Sequence, residues 1–134
     1  MTEINQNTVL IYMTTVTSTV AILKKQRAIV DFCEAKKIPH AQIDMCSDIK
    51  ARPKMLSLIP QDRKNETGPI LPPQVFVGES YCGDFEDFEF AKEMDLSLSF
   101  FKREAEEGSA EYKTLMQYKK AGKMPPFYPR GFSV

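Results

Sequence analysis

Thiols are the side chains of this 134-residue sequence that are best suited to covalent chemistry. There are three of them, Cys33, Cys46 and Cys82. A thiol becomes a nucleophile when a nearby positive charge or a helix N-terminus lowers its pKa. The odd number favours reduced thiols over a disulfide framework. His40 is the single histidine and has no second soft ligand close in sequence, so we expect no metal site and no cofactor.

Composition excludes several other classes of function. Lys and Arg number 18, and Asp and Glu also number 18, so the net charge is zero. A nucleic-acid binder that relies on phosphate contacts needs clustered positive charge, and we expect no nucleic-acid partner. The apolar runs are much shorter than the roughly 20 residues of a membrane span, so we expect no membrane partner. The polar first residues lack the pattern of a signal peptide, which predicts a cytoplasmic location, with a nuclear pool as the alternative.

The elements that must position the thiols follow from hydrophobic periodicity. A hydroxyl-rich loop, residues 14–19, separates the first strand from the first helix and offers side chains that can cap that helix. Ile49, Met55 and Leu58 are expected to face inward from the second helix. The predicted elements are strand 9–13, helix 20–37, strand 40–44, helix 47–58, strands 74–77 and 80–82, a helix opened by Gly83-Asp84, and a short helix at 96–102.

The order of these elements predicts the topology. A helix between the first two strands implies a right-handed crossover and a parallel pair, whereas the tight turn at Gly78-Glu79 makes the last pair antiparallel. We therefore expect an α/β domain over residues 1–103, with a mixed four-stranded sheet and helices on both faces. Residues 104–134 are a predicted extension that contains a helix over 110–121, ended by Gly122.

Two segments resemble a known family. Pro72-Pro73-Gln74-Val75-Phe76, followed by Tyr81-Cys82-Gly83-Asp84-Phe85, is similar to the SH3-domain-binding glutamic acid-rich-like family, and the likeness extends over residues 9 to about 103. This family is a glutaredoxin-related branch of the thioredoxin-fold proteins. The resemblance implies a thioredoxin-like (glutaredoxin-like) fold and a cis-proline at Pro73. It also implies a vestigial glutathione site, whose candidate residues are Thr15, Pro72, Pro73, Cys82, Gly83 and Asp84.

The sequence departs from the glutaredoxin pattern at the positions that carry its chemistry. The loop after the first strand contains no cysteine, and a hydroxyl cannot perform thiol-disulfide exchange. Cys33 falls on the inward stripe of the helix, and Cys46 follows the second strand, so both are poor replacements. Pro72 has no N–H to offer glutathione. We therefore expect no catalytic residue, no glutaredoxin activity and glutathione binding that is weak or absent.

Cys82 is the thiol that keeps an alternative open. It lies directly before the predicted helix start at Gly83-Asp84, where a helix N-terminus would lower its pKa, although the Asp84 carboxylate opposes that shift. The alternative function is a weak glutathione-linked thiol oxidoreductase or redox modulator that uses Cys82.

Proline motifs predict protein partners. Pro69-Ile70-Leu71-Pro72, which continues into Pro73, has the P-x-x-P pattern bound by SH3 domains. Pro72 to Phe76 also fits the P-P-x-x-F pattern of EVH1 ligands, but Val75 or Phe76 must then leave the core. The motif thus competes with the fold.

The C-terminal extension carries a further motif. Pro125-Pro126-Phe127-Tyr128 matches the P-P-x-Y ligands of WW domains through Pro125, Pro126 and Tyr128. The alternative is that Phe127, Tyr128 and Phe132 pack onto the protein as an apolar clasp. Together the motifs predict a non-catalytic adaptor that presents proline-containing segments to SH3, WW or EVH1 domains.

Overall fold

A computed structural model describes residues 4–16, 19–64 and 69–134. The chain divides into two compact units, Met1–Phe85 and Glu86–Val134. The predicted domain boundary at residue 103 stays a prediction. The elements are β1 (Val9–Met13), α1 (Val20–Ala35), β2 (His40–Asp44), α2 (Ala51–Leu58), α3 (Gln61–Lys64), β3 (Gln74–Val77), β4 (Ser80–Asp84), α4 (Phe85–Glu93), α5 (Ser97–Phe100) and α6 (Ala110–Lys120).

The four strands form one mixed sheet in the order β2-β1-β3-β4. β1 pairs with β2 in parallel, from Val9 opposite His40 to Met13 opposite Asp44. β3 is antiparallel to both β1 and β4. The predicted mixed α/β sheet is therefore confirmed, and its topology is that of a thioredoxin-like fold.

The core of the first unit explains why these strands form. Val9 and Ile11 of β1 are fully buried, and Tyr12, which faces the other side of the strand, is nearly so. Tyr12 packs in a cluster with Met55 of α2 and Phe76 of β3. Because side chains of β1 are buried on both faces, the sheet is covered on both faces, and its strands are the short apolar runs that the sequence contains.

The second helix begins later than predicted. α2 begins at Ala51, with Lys50 as its N-cap, because the preceding residues form a turn that ends in a hydrogen bond from the Ala51 N–H to the carbonyl of Asp48. Pro53 thus lies in the first helical turn, where a missing N–H costs nothing. The expectation that Ile49 faces inward is wrong, since it lies outside the helix and is 85% exposed.

The hairpin also differs in detail from the prediction. β4 continues to Asp84, and α4 starts at Phe85 instead of at Gly83. Gly83 and Asp84 pair with Val75 and Gln74 in the ladder, which keeps them extended. Between the Phe76–Tyr81 and Val75–Gly83 pairs the register shifts by one residue, and Cys82 is the additional residue of a β-bulge.

The second unit is built around aromatic side chains. Phe88 of α4 contacts Phe100 and Phe101, with ring centroids 5.7 Å apart in both pairs. Ser109 caps α6 by accepting a hydrogen bond from the N–H of Tyr112, and Gly122 follows the helix with a φ of +69°. The helix predicted over residues 110–121 is confirmed. None of the helices in the described part of the chain has the length and hydropathy needed to cross a membrane.

Candidate functional site

One edge of the sheet gathers most of the residues that the sequence singled out. β1 and β2 both end there, β3 begins there, and β4 ends there, because β1 and β2 are parallel while β3 is antiparallel to β1 and β4. The topology thus places Thr15, Pro72, Pro73, Gly83 and Asp84 along this edge, which we call the loop edge. Cys82 lies in the bulge of β4, one residue before Gly83.

Asp44 organises the loop edge from the end of β2. Its carboxylate accepts hydrogen bonds from the Thr15 hydroxyl at 2.7 Å and the Thr15 N–H at 3.2 Å. It also accepts bonds from the Cys46 N–H at 3.0 Å and the Ser47 hydroxyl at 2.9 Å. The Thr15 hydroxyl, followed by the Cys46 N–H, holds the pKa of Asp44 below its ordinary value of 3.8.

Thr14 is fixed by a second set of contacts. Its N–H donates to Oε1 of the buried Gln26 in α1, and Nε2 of Gln26 donates to the Thr14 carbonyl, both at 2.9 Å. The Thr14 hydroxyl lies 2.9 Å from the carbonyl of Val16 and 2.7 Å from Sγ of Cys46. The described start of the loop after β1 is therefore hydrogen-bonded to both α1 and β2.

Thr17 and Ser18 belong to the predicted hydroxyl-rich loop but lie outside the described residues. Thr19 is the N-cap of α1, and its side chain makes no capping hydrogen bond.

The three thiols have different surroundings. Cys33 is fully buried in α1, which confirms its assignment to the core. Cys82 is half-buried, and Cys46 is exposed. Sequence reasoning judged Cys46 a poor replacement because it follows the second strand, and it did not place Cys46 beside the loop that follows β1. The signal was available, because parallel strands bring their carboxyl ends to the same edge of a sheet.

The cis-proline implied by the family resemblance is present. The Pro72–Pro73 peptide bond is cis, and Pro73 directly precedes β3. The neighbouring Gln74 donates from Nε2 to the carbonyl of Leu71 and accepts a 2.6 Å hydrogen bond from the Tyr81 hydroxyl. The backbone before β3 is thus held by the side chain of the strand's first residue.

Asp84 is engaged by a cation. Nη2 of Arg63, in α3, lies 3.1 Å from Oδ2 of Asp84, and the Arg63 guanidinium is 5.6 Å from the ring centroid of Tyr81. Both partners of this ion pair are about 30% exposed. The carboxylate at this position is therefore neutralised within the protein, and Arg63 was not anticipated from the sequence.

The P-x-x-P segment is only partly accessible. Pro69 and Leu71 are exposed, whereas Ile70 packs against the core cluster. Pro72 is half-buried and Pro73 is buried. The P-P-x-x-F pattern ends at Phe76, which is fully buried, so the folded domain does not present that EVH1-type motif.

The tail alternates between buried and exposed residues. Phe127 packs against Phe90 and Phe100 of the same unit, with ring centroids 6.1 Å and 5.6 Å apart. Phe127 thus packs as the apolar-clasp alternative expects, whereas Tyr128, a second residue of that clasp, is 42% exposed. Buried or half-buried positions are Pro125, Phe127 and Pro129, and exposed positions are Pro126, Tyr128 and Arg130.

No metal centre is evident in the described ranges 4–16, 19–64 and 69–134. They contain no cluster of three or more His, Cys, Asp or Glu side chains that could hold a metal ion. The loop edge offers hydroxyls, the carboxylates of Asp44 and Asp84 and the exposed Cys46 thiol, and these groups are already engaged within the protein. This arrangement stabilises a surface and is suited to binding.

The fold is that of a thioredoxin-like protein, and its loop after β1 contains no cysteine. A family model described as "SH3-binding, glutamic acid-rich protein" matches residues 7–104, and the chain belongs to that family. The structure is also similar to that of the C. albicans actin interacting protein Aip5, with a TM-score of 0.53 and 17% sequence identity. The similarity covers 74% of this chain and 96% of that chain, and it concerns the fold.

Replacing Asp44 with asparagine is expected to loosen the loop edge. A neutral amide cannot accept all four bonds, so the amide hydrogens of Thr15 and Cys46 should exchange with solvent up to about tenfold faster. Because the pKa of Asp44 is lowered on folding, its stabilising contribution is present above pH 3.8 and is lost as the pH falls through the lower folded value.

Hydrogen exchange followed by NMR measures this effect, and a pH series should show the shifts of both amides titrating below pH 3.8. Asp48→Asn is the matched control, because the Asp48 carboxylate bonds to the N–H of Lys50 and not to the loop. Equal exchange rates in wild type and Asp44→Asn would contradict the proposed role of the carboxylate.

Proposed function

We propose that this protein is a cytoplasmic, non-catalytic adaptor that presents the segment Pro69-Ile70-Leu71-Pro72 to SH3 domains. The burial pattern of this segment is the observation that carries the proposal. Pro69 is exposed and Pro72 is half-buried, whereas Ile70 packs against the core cluster. The first proline of the P-x-x-P pattern is therefore accessible while the segment stays attached to its own domain.

The family description supports the same partner class, since it names SH3 binding. An SH3 groove binds the two prolines of P-x-x-P through aromatic side chains and uses the low entropy of a preformed ligand. Packing of Ile70 holds the segment on its own domain before binding, which reduces the entropy lost in the complex.

The competing redox function lacks a suitable nucleophile. The loop after β1 contains only Thr, Val and Ser, and these side chains do not exchange with disulfides. Cys82 is half-buried in a β-bulge of β4, and Pro72 has no N–H for the backbone of glutathione. We infer that glutathione binds weakly or not at all and that a glutathione mixed disulfide is not turned over.

The tail supports a second candidate, recognition by WW domains. Pro126 and Tyr128 are exposed, while the residues between and around them anchor the segment. Tyr128 retains 42% of its accessible surface although its ring lies near that of Phe132. Pro126 and Tyr128 are therefore accessible to a WW domain, while their neighbours hold the segment in place.

Binding to an array of purified SH3 domains tests the main proposal. For a domain that binds the full chain, we expect Pro69→Ala to weaken the affinity about tenfold, because one of the two groove-filling prolines is lost. Pro60→Ala, which replaces an exposed proline outside the motif, is the control and should leave the affinity unchanged.

Isothermal titration calorimetry gives these affinities directly. An SH3 affinity that is the same for wild type and Pro69→Ala would overturn the assignment of the site. So would an array in which no SH3 domain binds the protein. The WW candidate is separated by Tyr128→Ala, which should abolish binding to WW domains and leave SH3 binding intact.

A further inference from the structure

β2 is an edge strand without a proline, a lysine or a β-bulge. It lies at one end of the strand order β2-β1-β3-β4. Edge strands expose a row of N–H and C=O groups, and natural proteins protect that row with charged side chains, proline, bulges or very short strands. The sequence His-Ala-Gln-Ile-Asp of β2 contains no proline or lysine, and its pairing with β1 is regular. The opposite edge strand, β4, carries the Cys82 bulge.

The hydrogen bonds to β1 define which groups of β2 face outward. The N–H of Val9 donates to the carbonyl of Pro39, and the N–H of Met45 donates to the carbonyl of Met13, both at 2.9 Å. In a parallel ladder, both backbone groups of one residue face the same neighbour, and successive residues alternate. Pro39, Ala41, Ile43 and Met45 therefore face β1. The residues whose backbone groups face outward are His40, Gln42 and Asp44.

The open row has defined ends. Before β2, the N–H of Ile38 donates to Cys33 and its carbonyl accepts from the His40 ring at Nδ1. After β2, the carbonyl of Asp44 accepts from the N–H groups of Ser47 and Asp48. Within the described residues, no group bonds to the outer side of Gln42, whose side chain is exposed. The open row therefore runs from the backbone groups of His40 to the N–H of Asp44, and it is centred on Gln42.

We propose that β2 binds β2 of a second copy of this chain in an antiparallel ladder centred on Gln42. Residues with outward-facing groups must oppose one another for both strands to exchange hydrogen bonds. Full overlap of the two five-residue strands then places Gln42 opposite Gln42 of the second copy. The pairing is two-fold symmetric, so the same surface serves both partners.

This register is complementary in polarity. At both ends of the ladder, the N–H of Asp44 in one copy lies opposite the carbonyl of His40 in the other. Ala41 lies opposite Ile43, and these half-buried apolar side chains cover one another. A shift by two residues that places His40 opposite Gln42 would shorten the ladder to three residues and would remove the contact between Ala41 and Ile43. Self-complementarity of this kind favours a second copy over an unrelated strand.

A single pair of edge strands buries much less than the roughly 1,200 Å² of a standard interface, so we expect a weak, concentration-dependent dimer. Sedimentation velocity of the full chain from micromolar to millimolar concentration measures it. Gln42→Lys should weaken association about tenfold or more, because two like charges then lie opposite each other. Gln117→Lys, an exposed substitution on α6, is the charge-matched control and should associate as wild type does.

Cysteine cross-linking tests the register, in a Cys46→Ser background that removes the exposed thiol. Directly opposed residues of a hydrogen-bonded pair have Cα atoms about 5.5 Å apart, within the range of a disulfide. Gln42→Cys should therefore form a disulfide-linked dimer on mild oxidation, whereas His40→Cys should not, since its two copies lie roughly 13 Å apart along the ladder. A single-chain mass at all concentrations, dimerisation unaffected by Gln42→Lys, or equal cross-linking of the two cysteine variants would overturn the proposal.

Discussion

Replacing Phe76 with alanine is expected to lower the free energy of unfolding of the first unit by about 3 to 5 kcal/mol. Phe76 has no exposed surface, and its ring contacts those of Tyr12 and Tyr81 at centroid distances of 5.2 Å and 5.3 Å. Truncation leaves a cavity between β3 and α2 and removes both aromatic contacts, each of which adds about 0.5 to 1.5 kcal/mol beyond area burial. The site is central in the sheet, so the lost volume is not easily refilled.

Urea denaturation with hydrogen exchange of the β3 amides measures this loss. Phe76→Leu keeps part of the buried volume and should lose less, which provides a measurable variant if the alanine variant does not fold. Ile49→Ala is the matched control, because Ile49 is exposed and its truncation should change stability by no more than about 0.5 kcal/mol. Equal stabilities of Phe76→Ala and Ile49→Ala would contradict the assigned core.

Replacing Glu111 with alanine is expected to lower the free energy of unfolding of the second unit by about 2 to 4 kcal/mol. Glu111 is 8% exposed, and its carboxylate accepts hydrogen bonds from the N–H of Leu98 at 3.0 Å, the N–H of Ser99 at 2.7 Å and the Ser99 hydroxyl at 2.6 Å. These N–H groups lie in the first turn of α5, where no intrahelical acceptor exists. Removing the carboxylate leaves buried donors unsatisfied.

Hydrogen exchange at Leu98 and Ser99, together with urea denaturation, checks this expectation. Glu111→Gln retains an acceptor oxygen and should lose about half as much stability, roughly 1 to 2 kcal/mol. Glu107→Ala removes an exposed carboxylate and should be close to neutral. Unchanged exchange at Leu98 and Ser99 in Glu111→Ala would show that the carboxylate does not hold α5.

The sequence was sufficient for the elements whose patterns are strong. β2 was predicted over residues 40–44 and β3 over residues 74–77, as observed, because short apolar or alternating runs flanked by proline or glycine define them. The pattern was insufficient at Ile49. Helical spacing extended the predicted helix through residues 47–50. Hydrogen bonds from the N–H groups of Ser47 and Asp48 to the Asp44 carbonyl instead form a turn there, and such bonds leave no periodic signal in the sequence.

Some features of the candidate site could be predicted from the sequence, and others could not. The missing thiol after β1 is a fact of the sequence, and the family resemblance implied the cis-proline, which the structure contains. Contacts between distant residues were not predictable from either. The contact of Arg63 with Asp84 and that of Glu111 with α5 each depend on which elements the fold brings together.

The accessibility of the proline motifs also required the structure. Pro69-Ile70-Leu71-Pro72 and Pro125-Pro126-Phe127-Tyr128 are equally clear as sequence patterns. Burial distinguishes the residues within each motif, because Ile70 packs on the core of the first unit and Phe127 packs on the aromatic rings of the second. The outward residues, Pro69 and Leu71 in one motif and Pro126 and Tyr128 in the other, are those that a partner can reach.

Residue-resolved NMR of the full chain tests the adaptor proposal most directly. The ¹⁵N-labelled protein is titrated with an SH3 domain and, in a separate sample, with reduced glutathione at millimolar concentration. The SH3 domain should shift the amides of Ile70 and Leu71, and glutathione should leave those of Thr15, Gly83 and Asp84 nearly unchanged. Saturable shifts at Gly83 and Asp84 with glutathione, combined with no response of Ile70 and Leu71 to any SH3 domain, would contradict the adaptor function and favour the redox alternative.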